Sequence, residues 1–185
     1  MTTLFGPADI AIGMNDSVSR VRLFDGPLDI RWHHCATTSD FIADLFSLPF
    51  HASRNDYREV RHNIGYLVNE LIENAVKFRE PGEIMVEASM DAENFKVKVS
   101  NVVADATAAT FQELLSEITI GDPGDLLISR IEANAADPDD SGSGLGLLTL
   151  MSDYGVRLAW IFSPVGQGNR VHLETFATIP ISQTH

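Results

Sequence analysis

The most regular stretch of the chain runs from Ile64 to Val76. Ile64, Leu67, Val68, Leu71, Ile72, Ala75 and Val76 recur at i, i+3, i+4, i+7 spacing, so one stripe of a helix faces a core. The pattern predicts a helix that starts near Ser53 or Asn55 and ends about Arg79, where Pro81-Gly82 stops it. Ahead of it, Val18, Val21 and Leu23 set against Arg20 and Arg22 predict a strand over Val18–Phe24. The turn Asp25-Gly26-Pro27 leads to a second short strand, Leu28 to His33, and Ser39 then caps a short helix, Asp40 to Leu48, ended by Pro49.

Beyond the long helix, alternation predicts strands over Glu83–Met90 and Phe95–Asn101, joined by a turn at Asp91–Asn94. Helical patterns return at Thr110–Ile118 and Asp125–Ala133, an acidic loop spans Ala136–Gly144, and a helix follows at Leu145–Tyr154. Two strands, Val156–Ser163 and Arg170–Ile179, complete the pattern. This order predicts an α+β fold, a two-layer sandwich of helices on a mixed, mostly antiparallel sheet. Residues 1–17 read as an N-terminal arm or an extra strand, and residues 18–185 as a single domain.

Composition narrows the function. Of 185 residues, 44% are hydrophobic and 21% charged, as in a globular protein with its own core. Cys35 has no second cysteine to pair with, which fits a reducing compartment. The formal net charge of -13 repels nucleic acid and anionic membrane surfaces, so neither is expected as a partner. It does not exclude a nucleotide, which needs only a few local donors and a metal. The apolar runs are too short to span a bilayer, and Met1–Ser17 lacks the pattern of a signal peptide, so a soluble cytoplasmic protein is expected.

Two segments carry candidate chemistry. The first is NELIENAVKF, Asn69 to Phe78. On a helix, Glu70, Asn74 and Lys77 share one edge at i, i+4, i+7, beside the apolar stripe. An amide oxygen at Asn74 can ligate Mg²⁺, Lys77 can meet a phosphate, and Glu70 can accept a proton from a nucleophile. The competing account is a solvated helix edge, with Lys77 in an ordinary ion pair with Glu73 or Glu70.

The second is Ser141-Gly142-Ser143-Gly144-Leu145-Gly146-Leu147, opening a helix. Closely spaced glycines let backbone N–H groups approach phosphate, and the helix N-terminus adds free donors and a positive dipole end. No Gly-Lys-Ser/Thr makes it a P-loop, and no strand precedes it to make it a dinucleotide fingerprint. A flexible linker ahead of a helix is the alternative.

Taken together, NELIENAVKF resembles the asparagine box of the GHKL (Bergerat) ATPases, and GSGLGL resembles their second glycine box, over roughly Ser53 to Ile179. The layout looks most like the SiaB-like branch, which is related to the anti-sigma-factor serine/threonine kinases. The resemblance implies a Bergerat ATP-binding fold with ATP and Mg²⁺ as cofactors. It implies Glu70 as catalytic base or water-positioning group, Asn74 as the Mg²⁺ ligand and Lys77 as a phosphate contact. Gly142, Ser143, Gly144, Leu145 and Gly146 would line the phosphates, and Asp122 to Ser141 would form a lid. A packed helix held by Leu126, Leu127 and Ile131 is the alternative for that segment. The partner implied is a small regulatory protein, as for anti-sigma antagonists, with a homodimer as one arrangement the resemblance allows.

One departure stands out. Where the family has Asp-x-Gly-x-Gly, this chain reads Asn101-Val102-Val103-Ala104-Asp105, so Asn101 replaces the adenine-reading aspartate and both glycines are missing. Asn101 can accept from the adenine amino group or turn its amide nitrogen inward. The expected function is a partner-switching protein kinase acting on Ser or Thr of a small regulatory protein. The alternatives are a degenerate GHKL module that binds nucleotide or protein without catalysis, and a simple ATPase. The segment before the long helix reads as strands, so no phosphoacceptor-histidine domain is expected there, and His33, His34, His51 and His62 read as surface or structural residues. His33-His34-Cys35 lacks the second ligand pair of a zinc site.

Overall fold

The structure is a computed structural model and describes residues 1–12, 18–24, 32–136, 144–166 and 168–181. The elements, in chain order, are β1 (Thr3–Phe5), α1 (Ala8–Ile12), β2 (Ser19–Phe24), α2 (Trp32–Ser47), a 3-10 turn (Leu48–Phe50), α3 (Arg54–Phe78), β3 (Glu83–Met90) and β4 (Asn94–Ala104). They continue with α4 (Asp105–Ile118), α5 (Pro123–Ala136), α6 (Leu145–Asp153), β5 (Arg157–Pro164) and β6 (Arg170–Pro180). The fold class is α+β, as expected, but the sheet is not mixed. Its six strands lie in the order β1-β5-β6-β4-β3-β2, and every neighbouring pair is antiparallel.

The helix α3 forms as its pattern demands. Ser53 caps it by accepting from the Asp56 amide, which satisfies one of the orphan donors of its first turn. Val60, Ile64, Leu67, Val68, Leu71, Ile72 and Ala75 are buried against the inner face of the sheet, where Val86, Val97, Val99 and Val103 are also buried. Ala108, Leu115 and Ile118 of α4 and Leu147, Leu148 and Leu150 of α6 complete this layer. Truncating a fully buried leucine such as Leu67 or Leu148 would cost about 2–5 kcal/mol, a large share of a domain's stability.

Three regions depart from the expected boundaries. The strand proposed for Leu28–His33 is not found at its described end, because α2 begins at Trp32 and already includes His33; residues 28–31 lie outside the described residues. Ser39 does not cap a helix at Asp40. Its hydroxyl donates to the Ala36 carbonyl, and that of Thr37 to His33, so both bond back within a continuous helix. The burial of Cys35, Ile42 and Ala43 against α3 gives that helix its reason to extend. Residues Thr3–Phe5 form an edge strand on β5, and the short α1 packs Ile10 against Ala159 and Phe176 on the outer face of the sheet. The helices are therefore not confined to one layer.

Much of the rest of the outer face is charged. Arg20, Glu87, Lys98 and Glu174 form a ladder of alternating charge across β2, β3, β4 and β6. Arg20 is exposed while Glu87, Lys98 and Glu174 are partly covered, and the charges keep that face wet while the other is buried. Among the described residues, no helix is long and apolar enough to cross a membrane.

Candidate functional site

A cavity of about 500 Å³ opens between α3, α4 and the start of α6, with β4, β5 and β6 as its floor. That volume lies in the range of small-molecule sites. Seven of the residues singled out above line it: Glu70, Asn74 and Lys77 from α3, Asn101 from β4, and Gly144, Leu145 and Gly146 at the start of α6. Gly142 and Ser143 lie outside the described residues.

The edge of α3 is turned to the cavity with its polar groups unspent. Glu73 takes its hydrogen bond from Asn69 at 2.8 Å. Among the described residues, Lys77 has no carboxylate within salt-bridge reach, and its ammonium lies 5.0 Å from the Phe78 ring centre. The ion-pair account of this edge therefore does not hold. Asn74 likewise has no hydrogen-bond partner among the described residues. Burial raises the Glu70 carboxyl above its usual pKa, and the charge of Glu73 one turn along adds to that.

Glu70 and Gly146 explain each other. The Glu70 carboxylate occupies the place a Cβ on Gly146 would take. Gly146 is thus the residue that admits Glu70 to the first turn of α6. Gly144 stands at the N-cap with φ +100°, and a Cβ there would come within 3.3 Å of the Leu114 methyls. Glycine is required by that left-handed backbone. Among the described residues no side chain caps α6, and no acidic residue lies in its first turn, so within them its leading N–H groups are open to an anion.

Gly146→Ala should separate architecture from chemistry. Alanine raises helix propensity by about 0.8–1 kcal/mol, and the obstruction it meets is the end of a flexible side chain. The variant should melt no lower than wild type while the Glu70 carboxylate is pushed from its place. A thermal melt paired with the activity assay described below tests this, and a variant that melts much lower would show a backbone clash instead.

Asn101 is buried, and its Nδ2 donates to the Ala75 carbonyl of α3 at 3.3 Å. A carbonyl can only accept, so this contact fixes the amide orientation. Among the described residues nothing donates to Oδ1, and that oxygen is not sealed from solvent. It remains an acceptor on the cavity side.

The missing glycines have a structural counterpart. With Val103 and Asp105 standing where the resembled pattern has glycine, β4 runs on to Ala104, and α4 begins directly at Asp105 rather than at Thr110. The Glu80 amide bonds the Val102 carbonyl at 2.7 Å, and Arg79 bridges to Val103, tying the end of α3 to this extension. The cavity wall here is helical, formed by Thr107, Ala108, Thr110, Phe111 and Leu114.

Sequence reasoning missed Thr107, Phe111, Trp160 and Thr175 as lining residues. A signal existed for Thr175. It is the polar interruption of the inward series Val171, Leu173, Ala177, Ile179, as Asn101 interrupts Val97, Val99, Val103. Thr107 had no such signal, because it belongs to the part of α4 ahead of the expected helix start at Thr110, and Phe111 read as an ordinary core position of that helix. Trp160 is fully buried, its N–H finds no oxygen or nitrogen acceptor among the described residues, and the Phe111 ring stands perpendicular to it at 6.1 Å.

Other candidates fall away from the site. None of the described histidines lines the cavity. His62 pairs with the Tyr154 hydroxyl at 3.4 Å, and His51 stacks on Tyr57. Among the described residues no group of three or more His, Cys, Asp or Glu side chains could hold a metal. Of the segment Asp122–Ser141, most is α5, whose Leu126 and Leu127 pack against the core while Ile131 is exposed. Residues 137–141 lie outside the described residues.

No protein-family model matches the chain, and no curated protein matches it. Among solved structures, it is similar to a chain in the crystal structure of the SiaB-SiaC complex from Pseudomonas aeruginosa, with a TM-score of 0.57 and 14% sequence identity. The match covers 86% of this chain and 89% of that one. At this identity the likeness is one of fold.

Proposed function

We propose that this protein is a Mg-ATP-binding regulatory kinase of the partner-switching type, which phosphorylates Ser or Thr on a small regulatory protein. The observation that carries the reading is the meeting of Glu70, Asn74, Lys77, Asn101 and the Gly144–Gly146 turn around one cavity. Five polar or backbone groups from three elements converge there without satisfying one another. The similar fold occurs in a complex of two proteins, which is consistent with a protein partner.

Each group has a task that its surroundings suit. The open N–H groups of α6 and the Lys77 ammonium would hold phosphates in an otherwise acidic protein. The acceptor Oδ1 of Asn101 would take a base amino group. Glu70 would receive the proton of the attacking hydroxyl. The donor set fits Mg²⁺, because Asn74 offers an uncommitted amide oxygen and this ion is held by one or two protein oxygens together with substrate phosphates. When bound it would neutralise charge on the transferred group.

A second reading is a nucleotide- or protein-binding module without catalysis. The helical wall in place of the first glycine box favours it, since a rigid wall can hold a ligand without chemistry. Calorimetry of the purified protein with ATP, with and without Mg²⁺, tests the nucleotide reading. Binding that requires Mg²⁺ is the expected result, and no heat at millimolar nucleotide would overturn it. Binding without label on any partner and without phosphate release would favour the module.

A further inference from the structure

The helix α4 occupies the place of the missing glycine box and forms one long wall of the cavity. It runs the length of the site. Its first turn follows β4 within four residues of Asn101. At its other end, Leu114 packs against Gly144 at the start of α6. Thr107 and Leu114 are seven residues apart, about 10 Å along a helix. Among the described residues the Thr107 hydroxyl has no hydrogen-bond partner, and it is half-buried in the wall. The Thr110 hydroxyl, by contrast, donates to the Ala106 carbonyl within the helix and sits at the exposed rim.

We propose that Thr107 is a ligand-binding residue that contacts the nucleoside part of the bound nucleotide, so that α4 does with a side chain what the absent glycine loop would do with its backbone. The proposal rests on the nucleotide reading above. An uncommitted hydroxyl on an otherwise apolar wall, beside Ala108, Phe111 and Val103, is at its most useful when a ligand polar atom completes it. It stands in the first turn of α4, which follows the strand of Asn101 directly, and this assigns it to base or sugar rather than to phosphate.

The test is titration calorimetry of wild type, Thr107→Val, Thr107→Ser and Ser116→Ala with Mg-ATP, adenosine and tripolyphosphate, each protein checked by circular dichroism. Valine keeps the shape and removes the hydroxyl. Thr107→Val should bind Mg-ATP and adenosine about 5- to 10-fold more weakly, the usual worth of one net hydrogen bond, and tripolyphosphate as wild type does. Thr107→Ser should retain wild-type affinity, and Ser116→Ala, on the same helix but away from the cavity, should change little. If wild type binds Mg-ATP and Thr107→Val binds it equally well, the inference is wrong and the nucleotide reading stands. An equal loss for tripolyphosphate would move the hydroxyl to the phosphate end and overturn the assignment. If wild type binds neither Mg-ATP nor adenosine, the nucleotide reading fails and this inference with it.

Discussion

Glu70→Gln is expected to bind Mg-ATP nearly as well as wild type and to transfer phosphate about 10²-fold more slowly or worse, the usual worth of a positioned general base. The carboxylate lies against the first turn of α6, on the cavity wall one turn before Asn74. There it could take the proton of a hydroxyl attacking a phosphate held by that turn. Burial, then the charge of Glu73, hold its pKa above the ordinary 4.5, so the acid limb of the wild-type rate profile should lie above that value and vanish in the glutamine variant. A carboxyl raised by folding stabilises the fold below its unfolded pKa, and that contribution is lost as pH rises through the folded value. At neutral pH, Glu70→Gln should therefore melt higher than wild type, with the difference closing in acid. Labelled ATP and a partner found by co-purification provide the rate measurement. Label transferred at the wild-type rate would refute the base assignment, and label on a histidine of this chain would replace it with autokinase chemistry.

Asn74→Ala should remove most Mg-dependent ATP binding while circular dichroism stays native. Groups in the outer shell of a metal site are commonly worth about 10–100-fold, so losing a direct ligand should cost at least the upper end of that range. The fold should tolerate it, because Asn74 faces the cavity and alanine raises helix propensity. Calorimetry in Mg²⁺ and in EDTA gives the result in one comparison. If the variant and wild type differ by the same factor with and without Mg²⁺, Asn74 contacts the nucleotide itself and not the metal.

The Glu70–Asn74–Lys77 edge was legible in the chain because helical periodicity is local. Once Ile64 to Ala75 commit to a core face, the 100° step fixes which residues flank it. The strands β3, β4, β5 and β6 were legible for the same reason, each alternation being set by its own residues. Asn101 could be located as a polar residue in an apolar parity, but not oriented. Its amide direction follows from the Ala75 carbonyl 26 residues away in sequence.

Only the tertiary structure brought the two motifs to one cavity, since some seventy residues separate Asn74 from Gly144 and no local rule closes that distance. The need for Gly146 is likewise non-local, because the atom it makes room for belongs to another helix. The extension of β4 and the early start of α4 were set by partners as well. Val102 and Val103 continue as strand because β6 pairs with them through Ala104 and the end of α3 bonds across. The continuous α2, against a sequence that read as the end of a strand and then a helix capped by Ser39, shows the same override, since burial of Cys35, Ile42 and Ala43 against α3 outweighs the capping preference of Ser39. The chain by itself determined which faces are apolar and where the reactive groups stand on them. Packing decided which faces meet, because that choice depends on contacts between residues far apart in the chain.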